Sequence, residues 1–272
     1  MSLFDMSDQV VVVTGSTKGI GLGIVQQAAA HGARVVVSSR DQAACDEVAR
    51  KISEDYGQGK EIAKGRACDI TSLESVEAFA AAARDAFGAV NTLVCNAAVL
   101  PFVGPSAETP PGEFERILNG NVHSNFRLCQ ALRPDIAKQG GGSIVLIGSI
   151  GGHVTMPMIM AYAAAKAAVP HLARCLADEF APDKIRVNCV APGLIRSASS
   201  SRSPLSWEER VAAFPIKRPG EPEDIAGAVI YLSPRAGSYV TGETILVDGG
   251  RARLSASNQG AGLQAIAGMK FN

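Results

Sequence analysis

The chain has 272 residues, 47% of them hydrophobic, and its 26 Lys and Arg residues balance its 26 Asp and Glu residues. This length and composition predict a single domain with a sizeable core, of a size that is usual for α/β folds. A formal net charge of zero gives no support to nucleic acid or an anionic membrane as a partner. Because no apolar run approaches the ~18–20 residues that span a bilayer, we expect no membrane partner.

The six cysteines are scattered and form no Cys-x-x-Cys pair. We therefore expect them to act as small buried hydrophobic side chains in a reducing compartment, with metal binding as the alternative. The first six residues also lack the basic and long apolar segments of a signal peptide. Together these features predict a cytoplasmic protein without a metal site.

Short apolar runs rich in Val and Ile alternate with longer helical patterns along the chain. The predicted strands cover residues 9–14, 34–38, 61–67, 92–95, 143–147, 185–190 and 244–247. The predicted helices cover residues 20–31, 42–56, 73–87, 113–118, 122–138, 161–181 and 223–232. This alternation predicts an α/β fold with a doubly wound, Rossmann-type parallel sheet. We expect one catalytic domain at 1–250 and a tail rich in Gly, Ala and Ser at 251–272.

A glycine-rich loop joins the first predicted strand to the first predicted helix, in the order Thr14-Gly15-Ser16-Thr17-Lys18-Gly19-Ile20-Gly21. Its glycines let the backbone approach a pyrophosphate closely, and the following helix offers free N–H groups with a partial positive charge. The alternative is an ordinary tight turn. The position of the loop, where a dinucleotide site must lie in such a fold, favours cofactor binding by residues 15–21.

The end of the second predicted strand bears on the choice between NAD and NADP. An NAD site places Asp or Glu there to accept hydrogen bonds from the ribose hydroxyls. In this chain Ser39 and Arg40 occupy the position, and Lys18 lies in the glycine loop. Two cations and a hydroxyl suit a 2′-phosphate, so we expect NADP(H) to be favoured over NAD(H). The alternative is that Arg40 is only a surface residue of a turn, next to Asp41.

Tyr162 and Lys166 lie four residues apart in an Ala-rich stretch, so we expect both on one face of a helix. A free tyrosine titrates near pH ~10, and a fixed positive charge nearby favours the phenolate. We therefore expect Lys166 to lower the pKa of Tyr162, so that the phenol gives or takes a proton near neutral pH. A chance pair on a solvated face is the alternative. Against it, Ser149 closes the preceding predicted strand.

With the glycine loop and Ser149, the Tyr162-x-x-x-Lys166 pair makes the chain resemble the short-chain dehydrogenase/reductase family, over about residues 10–250. The resemblance implies that Ser149 hydrogen-bonds the substrate oxygen and that Asn121 completes the catalytic group of four. It also implies that the backbone carbonyl of Asn121 holds a water linked to the lysine. Lys166 itself is then expected to bind the ribose hydroxyls next to the nicotinamide.

The same resemblance assigns further cofactor contacts. Asp69, followed by Ile70, matches an aspartate that contacts the adenine ring, and Asn96-Ala97-Ala98 matches an Asn-Ala-Gly segment along the cofactor. The segment after the sixth predicted strand resembles a Pro-Gly-x-Ile-x-Thr motif that holds the nicotinamide, through Pro192, Gly193, Ile195 and Ser197. Three positions depart from the family pattern, namely Cys95, Ala98 and Ser197.

The activity implied by the resemblance is NADPH-dependent interconversion of a ketone or aldehyde and an alcohol, with Tyr162 as general acid/base. The chain is similar to the carbonyl reductase branch of the family. A 3-oxoacyl thioester reductase is the alternative within the family. A dinucleotide-sensing regulatory protein is the alternative outside enzymes, and it predicts a damaged catalytic group.

Substrate binding and assembly are expected from segments outside these motifs. A lid at about 197–214 is expected to fold over the cofactor. Candidate residues of the substrate pocket are His153, Met156, Trp207 and Phe214, with ordinary packing as the alternative for the methionine. The helices predicted at 122–138 and 161–181 correspond to those that pair subunits in the family. We therefore expect a homodimer or a homotetramer.

Overall fold

The structure is a computed structural model that describes residues 2–254, except 198–199, 201–204 and 213. Within these residues seven strands form the sheet: β1 (Val10–Val13), β2 (Arg34–Ser39), β3 (Ala63–Ala67), β4 (Thr92–Cys95), β5 (Gly142–Ile147), β6 (Ile185–Pro192) and β7 (Thr244–Val247). They lie in the order β3-β2-β1-β4-β5-β6-β7, and every pairing is parallel. The expected doubly wound sheet in one domain is confirmed.

Helices cover both faces of this sheet. The α-helices in the described residues are α1 (Gly19–Ala30), α2 (Gln42–Tyr56), α3 (Leu73–Phe87), α4 (Glu113–Leu118), α5 (Ser124–Lys138), α6 (Met160–Phe180), α7 (Trp207–Val211) and α8 (Pro222–Leu232). Successive residues of a strand point to opposite faces of the sheet, so each strand supplies two cores. Val10 and Val12 pack in the core with α3, α5 and α6, whereas Val11 and Val13 pack with α1, α2 and α8.

Several predicted boundaries differ from the structure by one or two residues, and two of the differences have a visible cause. The third strand begins at Ala63 rather than at residue 61, because the backbone N–H groups of Ile62 and Ala63 donate to the Ser53 hydroxyl of α2 at 3.2 and 3.1 Å. The helix predicted from residue 122 begins as a π-helical turn, Asn119–His123, which continues into α5. Both differences arise from contacts that hydrophobic periodicity does not report.

The cysteines largely follow the expectation from the sequence. Five are buried, and the sixth, Cys175 on α6, is exposed. Among the described residues, no group of three or more His, Cys, Asp or Glu side chains has the arrangement of a metal site. No helix in the described ranges has both the length and the apolar character needed to cross a bilayer. Most of the predicted tail, residues 255–272, lies outside the described residues.

Candidate active site

Tyr162 and Lys166 lie one turn apart near the start of α6, as their spacing predicts. Lys166 is only 2% exposed, and its Nζ donates a hydrogen bond to the carbonyl oxygen of Ile147, the last residue of β5, at 2.8 Å. The same Nζ is 5.7 Å from the centre of the Tyr162 ring. The ammonium is therefore anchored to the end of a central strand, beside the phenol.

The pKa values of this pair differ from the sequence expectation. Burial raises the pKa of Tyr162, and a hydrogen bond with the Ser149 hydroxyl lowers it by less. Burial also lowers the pKa of Lys166 from 10.5 to about 8. The expected lowering of the tyrosine pKa is therefore wrong, because desolvation of the phenol outweighs the lowering by the Ser149 hydroxyl. At neutral pH the phenol is protonated.

Ser149 lies two residues after Ile147, the last residue of β5, and its side chain faces the phenol. Its Oγ accepts a hydrogen bond from the backbone N–H of Gly151 at 3.0 Å, which caps a short 3₁₀ turn. Because that bond uses a lone pair, the hydroxyl hydrogen is left to donate to the Tyr162 oxygen or to a substrate oxygen. Ser149, Tyr162 and Lys166 thus converge at the carboxyl end of β5.

Asn121 lies in the π-helical turn, completely buried. Its side-chain amide donates to the carbonyl oxygens of Val99 and Ile117, both at 3.0 Å, while its Oδ1 is buried without a hydrogen-bond partner among the described residues. Its backbone carbonyl accepts from the Asn125 side chain at 3.0 Å. π-turns displace backbone carbonyls from the regular ladder and recur at functional sites. The bond from Asn125 uses one of the two lone pairs of this carbonyl, so it does not by itself exclude the expected water.

The glycine-rich loop forms a cradle that side chains would fill. Gly15 and Gly19 have φ values of +64° and +56°, in the left-handed region that favours glycine. A Cβ at Gly21 would collide with the Gly15 carbonyl oxygen and lie 2.6 Å from the Asn96 side chain. The first helical hydrogen bond of α1 runs from Leu22 to Lys18, and Lys18 provides no side-chain cap. The preceding N–H groups are therefore free to bind an anion, which fits a dinucleotide pyrophosphate.

Thr14, which the sequence analysis did not single out, holds this cradle to the next strand. Its hydroxyl oxygen accepts hydrogen bonds from the backbone N–H groups of Asn96 and Ala97, both at 3.1 Å. The Asn96 amide in turn donates to the carbonyl oxygens of Thr14 and Gly15, both at 2.9 Å. The loops after β1 and β4 are thus fixed to each other. The sequence signal that could have identified Thr14 is its position as the first residue of the loop, directly after β1.

Ser16, predicted among the cofactor-binding residues, is internal instead. Its hydroxyl donates to the Val13 carbonyl oxygen at 2.7 Å and accepts from the Ser38 N–H at 2.9 Å, and its own N–H donates to the Ser38 carbonyl oxygen at 2.7 Å. These bonds leave neither donor free for a ligand. Ser16 therefore shapes the loop by joining it to β2, while half-buried Thr17 and Ile20 remain at its surface.

The residues expected to select the cofactor lie at the ends of β1 and β2. Lys18 and Arg40 are exposed, and Ser39 is half-buried. The Ser39 hydroxyl donates to the Asp41 carbonyl oxygen at 3.1 Å, and its N–H donates to the buried Cys45 sulfur at 3.0 Å. The Asp41 carboxylate caps α2 by accepting from the Ala44 N–H at 3.2 Å. That carboxylate is engaged with the helix, which leaves the Arg40 guanidinium as the charged group of the turn.

Asp69 lies after β3, close to this turn. Its carboxylate accepts from the N–H and the hydroxyl of Thr71 at 2.9 and 2.7 Å, and these bonds hold the pKa of Asp69 below its usual value, with a smaller effect of the Arg40 charge. Ile70 is half-buried beside it. The backbone N–H of Asp69 donates to the Ser75 hydroxyl at 2.9 Å. The position fits the expected adenine end of the cradle.

The segment after β6 packs over the glycine loop. β6 ends at Pro192, and a Cβ at Gly193 would lie 2.6 Å from the Cα of Asp248, so only glycine fits there. Ile195 is buried and forms a bridge with the backbone of Gly220. A Cβ at Gly19 would lie 3.6 Å from the Cβ of Ser197, which places Ser197 directly over the loop.

Two of the predicted substrate-pocket residues lie on the segment between β5 and α6. A Cβ on Gly151 would be 2.7 Å from the Met156 sulfur and 3.4 Å from the Ser149 hydroxyl, so the thioether lies beside the catalytic serine. His153 is exposed, and partial burial together with the Arg253 charge lowers its pKa, opposed by Asp248. Met156 is thus the candidate closer to the site, and His153 is at the rim.

The other two candidates lie on the predicted lid, of which 198–199, 201–204 and 213 lie outside the described residues. The Trp207 ring has the Arg196 and Arg210 guanidinium carbons at 4.7 and 4.5 Å from its centre. Phe214 is 7% exposed and packs near Gly249, beyond the end of β7. Both aromatic rings are therefore engaged with protein groups in this structure.

Comparisons with known proteins agree with this geometry. A family model described as "Enoyl-(Acyl carrier protein) reductase" matches residues 15–252. The chain is 40% identical over 248 residues to "Dehydrogenase/reductase SDR family member 4" of Bos taurus, a match that covers 90% of this chain and 88% of the relative. The human protein of the same name is 38% identical over 248 residues, with the same coverage.

Solved structures with the same fold include a complex with NADH and a complex with NADP. A 7α-hydroxysteroid dehydrogenase complexed with NADH and 7-oxo glycochenodeoxycholic acid has a TM-score of 0.84 at 33% identity, covering 93% of this chain and 98% of the other. The RhlG/NADP active-site complex of Pseudomonas aeruginosa has a TM-score of 0.86 at 31% identity, covering 93% and 99%. The fold of this chain is therefore shared by proteins solved with either cofactor.

Proposed function

The chain belongs to the short-chain dehydrogenase/reductase family, and from that membership we propose that it reduces a ketone or an aldehyde to an alcohol with NADPH. At the level of the family it is an oxidoreductase that uses NAD(H) or NADP(H). The observation that supports the reductive direction is the protonated phenol of Tyr162, hydrogen-bonded to Ser149 and placed beside the buried Lys166 ammonium.

The proposed division of work follows from these three side chains. When bound, the reduced nicotinamide supplies the hydride. Tyr162 donates its proton to the carbonyl oxygen of the substrate. Because its pKa is raised, the phenol carries that proton at neutral pH. Ser149 donates a second hydrogen bond to the same oxygen. Lys166, with a pKa of about 8, is mostly charged at neutral pH and stabilises the phenolate that remains.

The preference for NADPH is supported by the charges around the ribose end of the cradle. Ser39 occupies the position where an NAD site places a carboxylate, and Arg40 and Lys18 are exposed on either side. The nearby Asp41 carboxylate is directed to the start of α2. A 2′-phosphate would therefore meet two cations, and charge-assisted hydrogen bonds to a guanidinium are among the stronger ones.

A 3-oxoacyl thioester is the second candidate substrate. The description of the matching family model, "Enoyl-(Acyl carrier protein) reductase", favours an acyl thioester as the substrate, although it names reduction of a C=C bond rather than of a 3-oxo group. A substrate panel decides between the two candidates, with NADPH as the reductant and ketones, aldehydes and 3-oxoacyl thioesters as acceptors. A clear excess of kcat/KM for the thioesters would replace the first proposal with the second.

Tyr162→Phe tests the proposed chemistry. The variant retains the ring and its packing but lacks the transferable proton, so we expect turnover to fall by on the order of 10²–10⁴-fold while NADPH binding persists. Lys166→Ala is expected to lose both turnover and part of the cofactor affinity. Undiminished carbonyl reduction by Tyr162→Phe would reject the tyrosine as the acid. Binding of NADPH without any turnover by the unmodified protein would instead favour a dinucleotide sensor.

A further inference from the structure

The loop 99–104 follows the Asn96-Ala97-Ala98 segment after β4. Its first residue, Val99, packs on the same small apolar cluster as Tyr162, so the loop begins beside the candidate active site. Two of its other apolar side chains contribute little, since Leu100 and Val103 are 50% and 70% exposed. Burial of apolar surface is the usual means of fixing a loop, so hydrogen bonds take a large part in holding residues 100–104.

An ion pair on α4 supplies two of the four hydrogen bonds that hold the loop backbone. The Arg116 guanidinium contacts both carboxylate oxygens of Glu113, at 2.7 and 2.8 Å, and also donates to the Leu100 carbonyl oxygen at 2.8 Å. The Glu113 carboxylate accepts from the Phe102 N–H at 2.8 Å. The Glu113 side chain is only 10% exposed. The pair thus binds the loop backbone through one donor and one acceptor.

One end of the loop is bound by Asn121 and the other by the segment that precedes α6. The Asn121 side chain donates to the Val99 carbonyl oxygen at 3.0 Å, and the Gly104 N–H donates to the Met158 carbonyl oxygen at 2.8 Å. Met158 lies between Ser149 and Tyr162 in the chain, with a left-handed φ of +72°. The loop therefore bridges the π-helical turn and the segment that precedes α6.

We propose that the Glu113–Arg116 pair is a positioning device that fixes the loop 99–104 as a wall of the substrate site. This inference rests on the proposed carbonyl reduction. An isolated exposed ion pair contributes little, but a bidentate pair that also binds two backbone groups restricts the loop to one arrangement. Loss of the pair should weaken binding of the substrate and leave the cofactor, held on the other side of Asn96, in place.

The variants Glu113→Gln and Arg116→Met separate the two parts of the device. Glu113→Gln retains an acceptor for the Phe102 N–H but loses the charge, whereas Arg116→Met removes every donor to Leu100. We expect the substrate KM to rise about threefold in the first and about tenfold in the second, with kcat and the NADPH Kd changed less than about twofold. Because the two residues act as one unit, the double variant should be no worse than Arg116→Met.

The chain contains a matched control in α2. Arg50 contacts both carboxylate oxygens of Glu47 at the same i,i+3 spacing, with distances of 2.9 to 3.1 Å, on the exposed face of that helix. Glu47→Gln and Arg50→Met therefore disrupt a helix pair of the same spacing that binds no loop, within a cluster that also includes Glu54 and Lys51. We expect these variants to leave the substrate KM unchanged.

Amide hydrogen exchange over residues 99–104 provides a readout that needs no turnover. Arg116→Met should lose protection there, and Arg50→Met should not. Unchanged protection and an unchanged KM in Arg116→Met would overturn the inference and leave the pair as a helix stabiliser. If the unmodified protein reduces no carbonyl compound at all, the proposed function fails. Lost protection in Arg116→Met would in that case still support the contact between the ion pair and the loop, but the role of the loop in substrate binding would be rejected.

Discussion

The buried ammonium of Lys166 lowers the stability of the folded chain while it serves the proposed reaction. Its pKa falls from 10.5 to about 8 in the folded chain because burial disfavours the ammonium. Between these two pH values the unfolded chain holds a proton that the folded chain has released, so the free energy of unfolding rises with pH across this window. Below pH 8 the folded chain carries the full cost of a buried charge, on the order of 3 kcal/mol.

Lys166→Met tests this balance. Replacing the ammonium with an apolar side chain of similar length should raise the free energy of unfolding at pH 7 by on the order of 1–3 kcal/mol and abolish carbonyl reduction. Urea unfolding at pH 7 and pH 9.5 provides the measurement, and the gain should shrink at the higher pH. A variant less stable than the unmodified protein at pH 7 would show that the hydrogen bond to Ile147 outweighs the desolvation of the charge.

Arg40→Asp tests the proposed cofactor preference. The change removes a cation and places an anion near a phosphate of charge about −1.5 to −2, so lost bonds and repulsion both act against NADPH. A loss of about 1.5–3 kcal/mol corresponds to at least about a tenfold fall in the NADPH preference. NADH use should be spared, because the new carboxylate can accept from ribose hydroxyls. Steady-state kinetics with both cofactors give the ratio of kcat/KM values.

The control for this charge change is Arg235→Asp. Arg235 is exposed in the turn after α8, next to Gly237, whose carbonyl accepts from Arg186 near the start of β6. It therefore lies at the opposite edge of the sheet from the cofactor cradle, and its replacement should leave the ratio unchanged. An unchanged ratio in Arg40→Asp as well would assign the preference to Lys18 and Ser39.

The sequence located the catalytic side chains but not all of their properties. Tyr162, Lys166 and Ser149 were predictable because a helical spacing and a strand end place them, and the structure brings them together. The direction of the tyrosine pKa was not, since it depends on how much water the surrounding fold excludes. Ser16 was misjudged for a related reason: a hydroxyl in a glycine loop serves a ligand or the neighbouring strand, and only the structure shows which.

At the scale of single elements, the glycine loop and α1 show why local spacing predicted the cradle. Gly15 and Gly19 adopt left-handed backbone, and Gly21 faces the Gly15 carbonyl and Asn96. The spacing of the three glycines therefore reflects three different steric demands. The π-helical turn before α5 was not predictable, because the weak helix formers Asn-Gly-Asn at 119–121 indicate an irregular segment without specifying its type, and the extra residue is fixed by buried amide bonds.

Two glycines within helices provide a matched test of this cradle. A Cβ at Gly21 of α1 would collide with the loop, whereas a Cβ at Gly227 of α8 would meet nothing within 4 Å. Gly21→Ala should therefore lower the free energy of unfolding by about 1–3 kcal/mol and weaken NADPH binding. Gly227→Ala should raise it by about 0.5–1 kcal/mol and leave binding unchanged. Thermal unfolding and cofactor titration of both variants give the comparison, and equal effects would reject the steric argument.

At the scale of the whole molecule, the strand order explains where the site lies. β1 is flanked by β2 and β4, so the order of the chain reverses there, and the loops after β1 and β4 separate to leave a crevice. Thr14 and Asn96 join those two loops across it. Alternation of strands and helices predicted a parallel sheet, but the edge positions of β3 and β7 follow from the crossovers and from pairing that a single sequence does not display.

The surface of α6 leads to the prediction about assembly. On its solvent side the helix exposes the small side chains of Ala164, Ala167 and Cys175, together with His171 and Arg174. Small residues let another helix approach closely, and the buried partners of α6 already occupy its other side. We propose that this face pairs with its copy, together with α5, in a homodimer or homotetramer.

Ala164→Arg and Ala167→Arg place a long cation on the face without entering the core, so they should yield folded monomers. Light scattering at micromolar concentration should give at least twice the chain mass of 28.2 kDa for the unmodified protein. A monomeric mass for the unmodified protein would reject the pairing. If both variants remained oligomers of unchanged size, the interface would have to lie on another face.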